Sequence, residues 1–437
     1  MNLSLLGYLM IIVFMALIMS RKMSALVALI LVPTVFALIG GFYNGLGEHM
    51  LDGLKQVAPT GIMLIFAILY FGIMIDAGLF DPIIKWILKG VKGDPLKITI
   101  GTVLLASLVA LDGDGTTTFI ITVTAMLPLY KKLGINLYIL STLALLSIGV
   151  MNMTPWGGPT ARAISSLQLT TEEVFNPIIP IMVIGIVYAI GIAVFFGLKE
   201  RKRIGIQSHF DMTIEDIHQH DGVKTEDEIA LLRPKLVWLN ALLTILLLYA
   251  LVTEFLPIPV LFMVGFAIAV IINYPNITVQ SERIKAHAPN VLSVVSLVFA
   301  SGIFTGVMNG TKMVDAMANT LVNIVPEQFG SYFGIITAIL SMPFTYFMAN
   351  DPYYYGILPV LAESASSYGV TKAEMARASI LGQPVHVLSP LYAAGYLLVG
   401  MLDIDYGLNQ KFALKYAIGS SLVMIIFALL IGIIQIH

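Results

Sequence analysis

Leu111-Asp112-Gly113-Asp114-Gly115-Thr116-Thr117-Thr118 decides the reading of this chain, because it interrupts a hydrophobic segment running from about 98 to 129. An ionised carboxylate at the bilayer centre costs at least about 2.5–3.5 kcal/mol, and such groups persist where they face water, a partner or a ligand. The glycines let the backbone turn sharply and leave amides and carbonyls open. Irregular backbone at membrane depth is tolerated only where it is buried in protein or lines a cavity. Aspartate and threonine oxygens are hard ligands of the kind that hold Mg²⁺, Ca²⁺ or Na⁺. The string also matches the opening of a calcium loop, but Val123 stands where the closing glutamate belongs, so an EF-hand is excluded. An ordinary hydrophilic turn is the alternative, and the charge balance of the surrounding loops argues against it.

The 437 residues are 58% hydrophobic and 11% charged, with a mean hydropathy of +0.91. Soluble domains carry about 25% charged residues. An all-α polytopic membrane protein follows. The formal net charge is −2 and no basic arm exists, which gives no sign of a nucleic-acid partner. The absence of cysteine excludes disulfides and thiolate metal sites. Leu3 to Met19 has no basic stretch before it and is followed at once by Arg21, Lys22 and a second apolar run. It reads as a retained span rather than a cleaved signal.

Apolar runs of spanning length fall near 3–20, 24–43, 60–79, 137–156, 177–197, 236–254, 257–273, 290–308, 377–400 and 414–436. Two more, about 97–130 and 331–361, are interrupted by polar or Gly/Pro strings and read as re-entrant hairpins. With Arg21 and Lys22 inside, Lys85, Lys89, Lys92, Lys97, Lys131, Lys132 and the cluster 199–203 all fall inside only if 97–130 is re-entrant. The loops with Glu48 and Asp52, and with Glu172 and Glu173, then lie outside, as do both termini. The hydrophilic stretch 199–235 reads as a cytoplasmic linker. Its His209, His218 and His220 are either a metal sensor or incidental residues of a solvated loop.

The flanking segments, 1–198 and 236–437, repeat one another. Phe66-Ala67 matches Phe299-Ala300; Gly72 with Asp81 matches Gly306 with Asp315; Pro128 matches Pro359; Pro155 matches Pro384. Each half holds five crossings and one hairpin, and an odd number of crossings inverts the second half. Inverted repeats with broken helices mark secondary transporters, whose site is expected near the midplane at the repeat interface.

Further polar strings supply candidate site residues. Asn152-Met-Thr154-Pro155-Trp-Gly157-Gly158-Pro159-Thr160-Ala-Arg162 cannot continue a helix. Unwinding there frees carbonyls for a cation and leaves a half-helix N-terminus near 159–163 that suits an anion. Arg162 either grips a carboxylate in bidentate fashion or marks the interfacial end of a span. Asn350 and Asp351, after Ala349, again lie inside an apolar segment, and Pro352 is placed to start the returning helix. Tyr353 to Tyr355 are equally suited to an interfacial belt. Gln383-Pro-Val-His386-Val-Leu-Ser389 brings a histidine near this region, either a proton carrier or a neutral core residue. Asp76 and Asn309 are polar groups in the paired third spans, and Asp76 is a second proton-coupling candidate or a helix-end residue. No nucleophile–His–Asp set, zinc spacing or phosphate loop points to an enzyme.

The stretches Phe66 to Asp76, Gly93-Asp-Pro-Leu-Lys97, Leu111 to Thr118 and Pro155-Trp-Gly-Gly-Pro159 closely resemble the citrate–metal:proton symporter family of the ion transporter superfamily, and the likeness covers essentially the whole chain. The resemblance implies uptake of citrate as a complex with a divalent metal (Mg²⁺ or Ca²⁺), with protons as coupling ions and no permanently bound cofactor. It implies a substrate and metal–citrate site drawn from Asp112, Gly113, Asp114, Gly115, Thr116, Thr117, Thr118, Thr154, Gly157, Gly158, Thr160, Arg162, Asn350, Asp351, Gln383, His386 and Ser389. Asp112, Asp114 and Asp351 would meet the metal through the complex. The superfamily is similar to sodium–dicarboxylate transporters, whose two hairpin tips carry Ser-Asn-Thr. Here Ala349-Asn350-Asp351 stands at one tip and Asp112 to Thr118 in or beside the other, which puts sodium coupling in doubt. The resemblance also implies a homodimer of elevator type, with scaffold and transport domains, in the bacterial inner membrane. Competing readings are a proton-coupled carrier of gluconate or a dicarboxylate, and a sodium/proton antiporter.

Overall fold

The computed structural model describes all residues except 1, 21, 83, 85, 87–89, 91, 92, 207–225, 254, 325, 326, 348, 349 and 437. The three linker histidines, Arg21, Lys85, Lys89, Lys92 and Ala349 therefore lie outside the described residues. The described chain is helical. We number the helices of nine residues or more α1 (Leu3–Met19), α2 (Ala25–Ile39), α3 (Leu46–Asp76), α4 (Pro95–Val109), α5 (Gly115–Leu133), α6 (Leu137–Met151), α7 (Gly158–Leu167), α8 (Thr171–Ile204), α9 (Val237–Val252), α10 (Ile258–Asn273), α11 (Ile277–Gly310), α12 (Met313–Ile324), α13 (Phe333–Phe347), α14 (Leu358–Ser366), α15 (Lys372–Ile380), α16 (Ala393–Leu402) and α17 (Tyr406–Leu430). Six segments among the described residues are long and apolar enough to cross a bilayer, including α3, α8, α11 and α17.

Two apolar helices precede a long helix twice in the chain (α1 and α2 before α3, α9 and α10 before α11), and long helices α8 and α17 follow the two broken segments. The long helices carry matching interior prolines, Pro59 in α3 and Pro289 in α11. They begin earlier than hydropathy predicts, at Leu46 and Ile277 rather than near 60 and 290. Their first turns are polar and amphipathic, and Asn276 caps α11 by accepting the Thr278 amide at 2.8 Å, a signal independent of apolarity. Two predicted spans are discontinuous. The run 137–156 ends as a helix at Met151, and 377–400 divides into α15 and α16, because Gly and Pro withdraw backbone donors and helical dihedrals at each break. The helix α8 runs on to Ile204, into the stretch expected to be linker.

The halves interleave. α2 packs on α11, α10 packs on α3, and α3 crosses α11. That crossing is made by glycine. A Cβ at Gly53 would run into the Gly302 carbonyl oxygen, and one at Gly306 would meet the backbone of His49 and Gly53. Lipid supplies no hydrophobic drive between helices, so close backbone approach through small residues is what holds such a pair. Apolar side chains such as Ile12, Val187, Ile245 and Ile271 are about 60% exposed, an outer surface made for lipid rather than water.

The first hairpin is seated from outside as well as within. Asp94 caps α4 by accepting the Leu96 amide at 3.1 Å, and Arg201 from the last turn of α8 lies 3.6 Å from its carboxylate. Thr99 donates to the Ala193 carbonyl at 2.8 Å. The Gly93-Asp-Pro-Leu-Lys97 string thus positions the hairpin without touching its tip.

Candidate substrate site between two hairpin tips

Both hairpin tips and both helix breaks converge on one cavity of about 650 Å³. At the first tip, Ala110–Asp112 tighten into a 3₁₀ turn and Gly113 adopts φ 78°, where a side chain would be strained. The Asp112 carboxylate accepts the Asp114 amide at 2.8 Å. Asp114 is the N-cap of α5: its oxygens accept the Thr116 amide at 3.2 Å and the Thr117 amide and hydroxyl at 2.8 and 2.7 Å. This places two carboxylates and the positive end of a helix at the cavity wall. Trp156 ties the tip to the first break by donating from its indole Nε1 to the Leu111 carbonyl at 2.7 Å.

At the break, Gly157 precedes α7, and the helix N-terminus opens where the prolines and glycines require it. Arg162 donates from Nε to Oδ1 of Asp351 at 2.6 Å and from Nη1 to the Gly158 carbonyl at 2.9 Å. The pair joins the first break to the second tip. At that tip Pro352 starts a π-helical turn, Pro352–Ile357, which leads into α14; such turns recur at functional sites. The amide oxygen of Asn350 is buried with no hydrogen-bond partner among the described residues. Tyr353, Tyr354 and Tyr355 are fully buried, which excludes an interfacial belt for them.

Of the residues singled out from sequence, Asp112, Gly113, Asp114, Gly115, Thr116, Thr117, Gly158, Arg162, Asn350, Asp351 and His386 line the cavity. Thr118, Thr154, Gly157, Thr160, Gln383 and Ser389 are buried but do not line it. Three of them bond the backbone around it: Thr118 donates to the Asp114 carbonyl at 2.7 Å, Thr160 to that of Met153 at 2.9 Å and Ser389 to that of Tyr346 at 2.7 Å. The Thr154 hydroxyl is buried with no hydrogen-bond partner among the described residues. Gln383 donates to the Tyr354 hydroxyl at 2.9 Å. Nδ1 of His386 donates to the Thr345 carbonyl at 2.7 Å, which leaves Nε2 of the neutral ring as an acceptor.

Asp76 ends α3 and does not line the cavity. His287, on α11, does; its Nε2 lies 2.8 Å from Asp76 Oδ2, with Arg283 Nη1 at 3.5 Å from the same oxygen. Asn309 donates to Gln168 at 2.9 Å, away from the cavity. Asn152 and Trp156 of the first broken string also line the cavity, as do His287, Asn290, Ser293 and Tyr392, four residues not singled out from sequence. Tyr392 presses its hydroxyl against Gly115, where any side chain would collide with it. Among the described residues no His, Asp or Glu side chains gather in threes as a ready metal cage.

A family model described as citrate transporter matches residues 8–382. The chain belongs to the citrate transporter family. It is 57% identical over 433 residues to a citrate transporter of Bacillus subtilis (strain 168), covering 99% of this chain and 100% of the relative. It is 51% identical over 435 residues, 99% of both chains, to a Mg(2+)/citrate complex secondary transporter of the same organism. Among solved structures, the Alcanivorax borkumensis YdaH transporter aligns with a TM-score of 0.55 at 12% identity, covering 98% of this chain and 97% of that one. That likeness shows the fold alone. Membership of the citrate transporter family makes the chain a membrane transporter and not an enzyme, and the cavity is where its substrate is to be sought.

Proposed function

We propose that this citrate transporter family member takes up citrate as a complex with a divalent cation, in symport with protons, across a bacterial inner membrane. The observation that carries the reading is the charge of the cavity wall. Among the described residues, Asp112, Asp114 and Asp351 line it against the single guanidinium of Arg162. Citrate carries about three negative charges near neutral pH, by ordinary carboxylate pKa values. A wall with excess negative charge repels it in that form. A bound Mg²⁺ or Ca²⁺ reverses the balance, since the ion dominates local electrostatics. Asp112 and Asp114 face the cation, while the α7 N-terminus and Arg162 receive carboxylate oxygens. Mg²⁺ retains water and prefers few protein carboxylates, which suits a wall without a preformed cage.

Proton coupling is assigned to His386 or to the Asp76–His287 pair, both at or one contact from the cavity. The halves are read as oppositely oriented, with both termini outside, and the protein as a homodimer of scaffold and moving transport domain. The deciding experiment is labelled-citrate uptake into proteoliposomes under an inward proton gradient, without sodium, titrating Mg²⁺, Ca²⁺, Mn²⁺ and Zn²⁺ against EDTA. Uptake that needs both metal and gradient supports the reading. Metal-indifferent uptake replaces it with ordinary carboxylate transport, and sodium-driven proton efflux without any organic acid replaces it with antiport.

A further inference from the structure

In the Arg162–Asp351 pair a cation and a carboxylate that both line the cavity are bonded to each other. Its partners come from opposite halves, 189 positions apart, and meet at 2.6 Å. Both side chains are largely withdrawn from water, at 17% and 15% exposure, yet both line the cavity. Neither is saturated. Among the described residues, Arg162 Nη2 and Asp351 Oδ2 have no recorded protein partner, and the neighbouring Asn350 oxygen is buried and unpartnered.

We infer that this ion pair is the element that makes the transporter select the metal–citrate complex over either component. This rests on the metal–citrate reading of the cavity. Removing one partner of a withdrawn ion pair is strongly unfavourable, because it leaves the other charge uncompensated. A free cation drawn to Asp351 and Asn350 strands Arg162. A free carboxylate drawn to Arg162 strands Asp351. A complex that carries both signs splits the pair and satisfies each half at once: the cation takes the Asp351 carboxylate and the Asn350 oxygen, and a citrate carboxylate takes the guanidinium in the two-pronged geometry arginine favours. Selectivity for the complex then arises by penalising each component alone, a form of discrimination against the wrong ligand. Because the partners belong to different halves, the exchange also moves the restraint on the second hairpin tip from protein to substrate.

The test is calorimetric titration of purified full-length protein with Mg²⁺ alone, with citrate in EDTA, and with Mg²⁺–citrate. Wild type should bind only the complex appreciably. If wild type binds free citrate as tightly as the complex, the functional reading itself fails before any variant is considered. In D351N the guanidinium is released, and free citrate should gain at least about tenfold relative to the complex. In R162Q the carboxylate is released, and Mg²⁺ alone should gain by a similar factor of about ten. Wild-type discrimination in both variants would overturn the inference. If either single variant unfolds, R162Q/D351N strands neither charge and serves instead. It should melt closer to wild type than the singles and show the preference for the complex reduced at least about tenfold. An unreduced preference in the double variant overturns the proposal as well.

Discussion

The two hairpin tips solve the same problem in opposite ways. Each must hold carboxylates inside an apolar segment. The first tip satisfies its own: Asp112 accepts a turn amide, and both Asp114 oxygens are taken by the first turn of α5. The second tip reaches across the molecule: among the described residues, the Asp351 side chain takes its one hydrogen bond from Arg162 of the other half. A tip closed by its own backbone keeps its shape whatever occupies the cavity. A tip closed by a distant charge changes its bonding when a charged ligand arrives. In the mechanism we propose, the first tip is the fixed floor for the cation and the second is the responsive wall.

The comparison breaks first at the floor. D112N/D114N removes two charges while leaving each residue one side-chain oxygen, which still accepts the turn amide at 112 and one of the two cap amides at 114. Uptake of metal–citrate in proteoliposomes should fall by about 100-fold or more, with the melting temperature little changed, if each close ion contact contributes on the order of 1.5–3 kcal/mol. Unaltered uptake would mean that the cation sits elsewhere. A smaller effect is expected from W156F, which removes the indole donor to the Leu111 carbonyl but keeps an aromatic ring against Phe71 and Phe262. It should cost about 0.5–1.5 kcal/mol of stability in thermal or denaturant melts. Uptake should drop by about tenfold through loosening of the tip. A full-rate W156F would show that the tip needs no outside tether.

A third variant separates binding from coupling. His287 touches both the cavity and Asp76. H287Q keeps an amide donor for Asp76 but cannot take up a proton. If this pair carries the coupling proton, uptake in H287Q loses its response to an imposed pH gradient. Its affinity for Mg²⁺–citrate should stay within about threefold of wild type, since the bond to Asp76 is retained. Retained gradient dependence would move the proton to His386.

The tips and breaks were legible in sequence because polar, Gly and Pro residues inside apolar runs carry their own local signature. Asp112, Asp114, Arg162, Asn350 and Asp351 all line the cavity for that reason. Partnership was not legible. Arg162 with Asp351 and Asp76 with His287 are 189 and 211 positions apart, and no spacing rule connects them. His287 escaped notice because Ser281 to His287 is polar enough to read as a loop; the α11 cap at Asn276 is the signal that extends the helix through it. Tyr392 was invisible because only the fold brings it onto Gly115. In the other direction, membership of a motif does not by itself bring a side chain to the cavity wall. Thr118, Thr160 and Ser389 belong to the right strings but spend their hydroxyls on backbone carbonyls.

That last distinction gives the smallest and most discriminating effect. Thr116 and Thr118 are neighbours on the first turn of α5, yet Thr116 lines the cavity and Thr118 is fully buried behind it. T118V preserves shape and removes a hydroxyl that donates to the Asp114 carbonyl. Its stability should change by no more than about 0.5–1.5 kcal/mol, and uptake per folded molecule should match wild type. T116V removes a hydroxyl at the cavity surface; its stability should hold while its KM for metal–citrate rises, by about threefold to tenfold for one neutral hydrogen bond. Measuring melting temperature and KM on the same preparations separates the two positions. If T118V were the variant with the raised KM, the face of α5 turned to the substrate would be the opposite one, and the floor assigned to Asp112 and Asp114 would have to be redrawn around it.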